Sequence, residues 1–140
     1  MVQGALGPLL ASPAGLPAPG AQPPDPRAAE AEIMGAFTLA YKAGAPLQSR
    51  EAVVEDGASL AGVDAAALAG PAGRNIRALT IRVDRVVFAS ATRASVAYEL
   101  TVPGALFVRR VGGATFVQGR WLVTRATVCA DLALASTRCP

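Results

Sequence analysis

The sequence predicts an α+β domain in which helices come first and an antiparallel meander of about four strands follows, with the helices segregated to one face of the sheet. Three observations predict it. Apolar residues between 26 and 44 recur at helical spacing. From residue 76 the apolar period shortens to two. Gly and Pro cluster between these segments and punctuate them.

The first element is a helix. Asp25-Pro26 supplies an N-cap acid and a proline at the first helical position. Glu30 and Glu32 lie in the early turns, where the helix dipole favours acids. Ile33, Phe37, Ala40, Tyr41 and Gly44 share one buried face, and the helix is expected to end near Ala43-Gly44, before Pro46. A second short helix is expected from Pro46 to Asp56, stopped by Gly57. Asp64 would cap a third, Ala65–Ala69, closed by Gly70-Pro71.

Strands follow. Leu79, Ile81 and Val83 alternate with Thr80, Arg82 and Asp84, and the phase slips at Arg85, so that Val86 and Phe88 carry the alternation. A one-residue slip predicts a β-bulge that bends the strand. After a turn at Ser90-Ala91-Thr92, Ala94, Val96, Tyr98, Leu100 and Val102 define the clearest strand, ended by Pro103-Gly104. A third strand is expected over about Leu106–Val111, either ending there or continuing to Val117 past a kink at the Gly112-Gly113 pair. Gln118-Gly119-Arg120 reads as a tight hairpin turn. Trp121–Val128 is then expected as the fourth strand, and Cys129–Ala135 as a closing helical turn.

Residues 1–25 read as a Pro/Ala/Gly linker, semi-extended and poorly ordered, ahead of a single domain over 26–140. No side chain in 1–24 is charged, yet six prolines there forbid a spanning helix. An intact signal peptide is not expected, because no base lies near Met1 and Ala5–Leu10 is short for an apolar core. Such a linker often follows a removed signal or joins a larger chain.

Composition excludes several chemistries. Hydrophobic residues make up 52% of the 140, but 31 of them are Ala, which leaves about 30% as large apolar residues, ordinary for a small domain. His is absent. A Ser-His-Asp triad, a Cys-His pair and a His-ligated zinc or iron are therefore out. The two cysteines cannot make a four-thiolate zinc site. No metal and no cofactor are expected. Residues 1–70 carry seven acids and three bases, whereas 71–140 carry ten Arg and three acids. The arginines are spread along strands without interleaved aromatics. They read as a solvated basic sheet face, with no nucleic-acid partner.

Cys129 and Cys139 lie ten residues apart, the second beside the C-terminus. A disulfide between them would staple the tail and would fit a secreted or cell-surface protein. The alternative is a pair of reduced thiols in a cytosolic chain. The spacing is not that of a redox-active Cys-x-x-Cys.

Taken together, the segments "VVEDGASL" (Val53–Leu60), "RALTIRVDRVVFASATRASVAYELTVPG" (Arg77–Gly104) and "VQGRWLVTRATVC" (Val117–Cys129) resemble the nuclear-transport-factor-2-like (cystatin-like) superfamily. Within it the chain is most similar to the actinobacterial secreted antigens, the mycobacterial low-molecular-weight antigen family, over roughly residues 26–135. The resemblance implies a conical fold, with a curved sheet wrapped around helices and a pocket between them. It implies no particular activity.

The candidate pocket residues follow from that expectation. Tyr41 and Phe37 lie on the apolar side of the first helix, and Tyr98 on the apolar face of the clearest strand. In a cone their phenols would offer hydrogen bonds to a ligand; otherwise they are core residues whose hydroxyls reach the rim. Asp56, beside Glu55, could imitate the pocket carboxylate of isomerases of the superfamily only if it shares a cavity with a tyrosine. Trp121 reads as packing over the open end of the sheet, or as an exposed anchor for a partner. Arg109 and Arg110 must point to opposite faces, one of them free to pair with Glu99 across the hairpin. Asp84 and Arg85, at the bulge, could turn one charge inward.

The function expected is that of a non-catalytic exported or cell-envelope domain that binds a partner protein or a small apolar ligand. Two alternatives stand beside it. One is a small isomerase or dehydratase using a pocket carboxylate (Asp56, Asp84 or Glu99). The other is a structural module that forms homodimers through its sheet.

Overall fold

Asp25 starts the fold as its position dictates: its Oδ1 accepts from the Ala28 amide at 3.1 Å, and Pro26 opens helix α1, Pro26–Ala40. The computed structural model describes residues 15–140. After α1 come three short helices, α2 (Leu47–Glu51), α3 (Ala61–Ala69) and α4 (Gly73–Arg77), with a 3-10 turn over Gly57–Leu60. Strands β1 (Thr80–Ser90), β2 (Arg93–Val102), β3 (Leu106–Val117) and β4 (Arg120–Val123) then form one antiparallel sheet in chain order, and helix α5 (Arg125–Leu134) closes the chain.

The sheet follows the sequence pattern closely. The β1–β2 register slips between Val83 and Arg85, so the bulge residue is Asp84. Asp84 and Arg85 both stay at the surface, and Asp84 pairs with Arg82 at 3.1 Å. β3 runs unbroken through Gly112-Gly113. Gln118 and Gly119 both take positive φ, 51° and 79°, which is the backbone a two-residue hairpin turn demands.

The inner sheet face and α1 form the core. Ile33 and Phe37 are fully buried against Val96, Tyr98 and Val123. Trp121 belongs to this core rather than to the surface. It is 3% exposed, flanked by the tilted rings of Phe88 and Phe116 with centroids 5.7 and 5.5 Å away, and its amide donates to Glu32 at 3.0 Å.

Four expectations about the elements need correction. α3 begins at Ala61, not Ala65, so Asp64 lies within its first turn rather than capping it. α1 stops at Ala40, three residues early, where Tyr41 leaves helical geometry. The expected 46–56 helix is only α2, because Gly57 packs on the Glu51 carbonyl, 2.0 Å from where a Cβ would sit, which turns the chain back on itself. The fourth strand ends at Val123, not Val128. There the Thr124 amide donates to Gly113 O at 2.9 Å, and the Thr124 hydroxyl accepts from the Thr127 amide at 3.3 Å. A threonine cap therefore converts the apolar alternation of 121–128 into the start of α5. Helix α4 was not expected.

Of the Pro/Ala/Gly segment, residues 15–25 are described, and they lie on the protein. Leu16 is buried, Gly15 abuts the Val111 side chain on β3, and the Gly20 amide donates to Phe88 O on β1 at 2.8 Å. The segment thus crosses the sheet to the β1 edge, beside Val87, which is buried on the face away from the core.

Cys129, on α5, and Cys139, in the tail, form a disulfide with a Cα–Cα distance of 5.7 Å. Closing a ten-residue loop, it is expected to stabilise the chain by about 2–3 kcal/mol. Cys139→Ser should lower the urea midpoint accordingly, and reductant should lower the wild type to the same value.

Gly112 carries a different constraint. A Cβ there would lie 2.4 Å from the Thr127 methyl and 3.1 Å from the Tyr98 ring. Gly112→Ala is expected to cost about 1–3 kcal/mol by overpacking. In contrast, Gly35→Ala, on an open face of α1 with nothing within 4 Å, should add about 1 kcal/mol. Equilibrium unfolding of the two variants checks both signs.

Candidate functional site

Gly112 decides where α5 lies. With no side chain at that point of β3, Thr127 of α5 seats directly on the strand, and its hydroxyl accepts from the Gly113 amide at 2.8 Å. One helical turn further along the same face is Asp131. Two residues back along the same face of β3 is Arg110. The helix therefore delivers Asp131 onto Arg110, and Arg110 Nε donates to Asp131 Oδ1 at 2.9 Å. Tyr98 is Arg110's direct partner across the β2–β3 ladder. Its hydroxyl donates to Asp131 Oδ2, and so does that of Tyr41, which arrives from the end of α1. One buried carboxylate on α5 thus holds two phenols and a guanidinium from three other elements. Burial, then the Asp131 charge, pushes the Tyr41 and Tyr98 hydroxyls above the ordinary phenol range, so both stay protonated donors.

Tyr41 and Asp131 of this cluster line a cavity of about 880 Å³. The walls are mostly apolar and come from every helical element and the ends of β2 and β3. They include Val54, Leu60, Ala67, Leu79, Leu100 and Leu132. The disulfide-tethered tail supplies Ser136, Thr137 and Arg138.

A second polar group lies on the cavity wall. Asp64 of α3 is hydrogen-bonded to the Glu51 carboxyl at the end of α2. Burial first, then that bond and the Glu51 charge, raise the Asp64 carboxyl to about 7, against a smaller opposing pull from Arg50. Glu51 Oε2 is buried and takes no hydrogen bond from any donor among the described residues. Arg50 Nε is committed to Ala40 O at 3.1 Å.

The five pocket candidates separate. Tyr41 lines the cavity, and Tyr98 meets it through Asp131. Phe37 is wholly buried in the core and packs on the Tyr98 ring, with centroids 5.3 Å apart. Trp121 lies in the aromatic cluster already described, and Asp56 sits at the surface, 3.9 Å from Arg125. Neither borders the cavity. Glu99 is buried on the other sheet face between Arg82 (3.0 Å) and Arg109 (3.3 Å), as the alternation of Arg109 and Arg110 allows. Sequence reasoning missed Asp131, Glu51 and Asp64. The legible signal was Asp131, a lone acid within the apolar run Ala126–Ala135.

Asp131→Ala would leave a partly buried guanidinium and two phenols without their acceptor. It is expected to cost about 3–5 kcal/mol in urea unfolding, while Tyr41→Phe should cost about 1–3 kcal/mol. For Asp64 the sign runs the other way. Its folded carboxyl holds its proton up to about 7, against an ordinary 3.8. Its contribution to stability is complete below the lower value and is lost as pH rises through the upper one. Asp64→Asn should therefore raise the denaturation midpoint at pH 8 relative to wild type, and this gain should shrink toward pH 5.

No curated protein matches the chain. A family model does, that of the low molecular weight antigen MTB12, C-terminal domain, over residues 26–139. That span takes in α1, the whole sheet, α5 and both cysteines, so the chain belongs to the low molecular weight antigen MTB12 C-terminal domain family.

Proposed function

We propose that this chain is a non-catalytic exported domain that holds a small apolar ligand between its helices and its sheet. The observation that carries the reading is the apolar cavity of about 880 Å³, a size suited to a drug-sized or lipid-like molecule. The chemistry of Asp131 supports the absence of catalysis. Its two oxygens already accept from Tyr41, Tyr98 and Arg110, so it is poorly placed to take a proton from a substrate. The antigen family and the Cys129–Cys139 disulfide support an extracellular setting. Helices in front of an antiparallel sheet, with a cavity between, also fit the nuclear-transport-factor-2-like superfamily as the wider group.

A second reading, docking of a protein partner on the outer sheet face, is favoured by Phe107. It is 62% exposed, with the Arg109 guanidinium 5.8 Å from its ring centre.

The test uses the apolar fluorophore N-phenyl-1-naphthylamine. Wild type should bind it with a blue shift and a rise in emission. Ala66→Trp, which fills the cavity from α3, should abolish the signal while leaving the circular dichroism unchanged. Wild type that neither binds the fluorophore nor retains a small molecule in native mass spectrometry would move the assignment to the partner reading.

A further inference from the structure

The rim of the cavity differs in composition from the rest of the surface. Ala66, Pro71, Ala105 and Leu134 line the cavity and are exposed to solvent, and the polar residues that do both are Asn75, Ser136 and Arg138. No acid is among them. The cavity's carboxylates, Glu51, Asp64 and Asp131, are half-buried or buried.

Two further observations mark this end of the domain. The two most exposed large apolar side chains among the described residues are Phe107, at 62%, and Leu134, at 45%. Leu134 stands on the rim. Phe107 borders a shallow groove at the β2–β3 turn, which shares Val102, Ala105 and Leu106 with the cavity lining. The second observation is charge. Arg74 and Arg77 of α4 are exposed beside the lining residues Asn75 and Ile76. With Arg138 they make three cations, none of them paired with an acid among the described residues.

We infer that the domain docks rim-first on an anionic lipid bilayer, from which its cavity takes the apolar ligand. The inference rests on the ligand-binding reading above and adds where the ligand comes from. Exposed apolar side chains gain by entering the boundary between headgroups and acyl chains, and guanidiniums beside them meet lipid phosphates. An exposed carboxylate on the rim would oppose both, and none is there. An apolar molecule leaves a bilayer for water at high cost. A cavity mouth held against the bilayer spares it that step. No helix among the described residues is long and apolar enough to cross a membrane, so the contact is peripheral. A protein partner on the outer sheet face would use Phe107 and Arg109 and would leave the α4 arginines idle.

The experiment is sedimentation of the full chain with phosphatidylcholine vesicles, with and without phosphatidylglycerol. Wild type should bind the anionic vesicles, and less so as salt rises. Arg74→Glu should weaken that binding by about tenfold or more. Arg93→Glu makes the same change in net charge at the other end of β2, roughly 30 Å along the strand, and should weaken it by less than about threefold. Phe107→Ser should weaken it by about fivefold at high salt as well as low. None of these three positions lines the cavity, so each variant should bind N-phenyl-1-naphthylamine in vesicle-free buffer as wild type does, which also shows that it folds. No vesicle binding, equal binding to both vesicle types, or equal losses in Arg74→Glu and Arg93→Glu overturns the docking; fluorophore binding that persists then leaves the apolar cavity standing. Vesicle binding by a wild type that takes no fluorophore overturns the cavity as a site loaded from the bilayer.

Discussion

The Asp131 carboxylate is a buried anion, and much of the structure around the cavity exists to keep it satisfied. An unpaired charge in that position would cost several kcal/mol or would simply pick up a proton. Three donors from three other elements prevent this: Tyr41 from the end of α1, Tyr98 from β2 and Arg110 from β3. Each is otherwise an awkward choice. Both tyrosines are buried with hydroxyls that need an acceptor, and Arg110 faces inward from a strand. Grouped on one carboxylate, they become an electrostatic clasp that ties α1, α5 and the sheet together.

That clasp explains why the interior is not simply filled. The region between α1 and the sheet, around Ile33, Phe37, Val96 and Val123, is closed by direct apolar packing. Beyond Tyr41 the chain must cross from α1 to β1, and it does so through three short helices, of which α3 is rich in Ala and Gly. Small side chains on α3 reach only part of the way to the sheet, so space remains between Ala67, Leu79, Leu100 and Leu132. The wall that would otherwise be missing comes from the C-terminal tail. The disulfide holds that tail to α5, and Arg125 adds a contact to the Pro140 carbonyl at 3.4 Å. The link between the tail and the cavity is therefore covalent, and both cysteines pack against the core.

Much of the sheet was legible from residue order. The bulge near Arg85, the start of the third strand at Leu106 and the Gln118-Gly119 turn each arise from local rules: side-chain alternation, the phase of that alternation, and the backbone that Gly permits. The end of the sheet was not legible in the same way. Residues 121–128 alternate well enough for a strand, and only the Thr124 cap, whose amide is engaged by Gly113 of a different strand, makes them turn into α5. Local pattern and tertiary contact competed there, and the contact won.

The candidate site divides along the same line. Residue order alone determined the α+β class, the antiparallel meander, the lack of histidine chemistry, the opposed faces of Arg109 and Arg110, and tyrosines on apolar faces of α1 and β2. Those features depend on composition or on periods of 2 and 3.6, which a chain carries wherever it folds. Only the tertiary structure decided that Tyr41 and Tyr98 meet at Asp131, that Glu51 and Asp64 face each other, and that Asp56 stays in solvent. Tyr41 and Asp131 are 90 residues apart. Their meeting depends on the helix position set by the missing side chain of Gly112, and no local pattern encodes a distance of that kind.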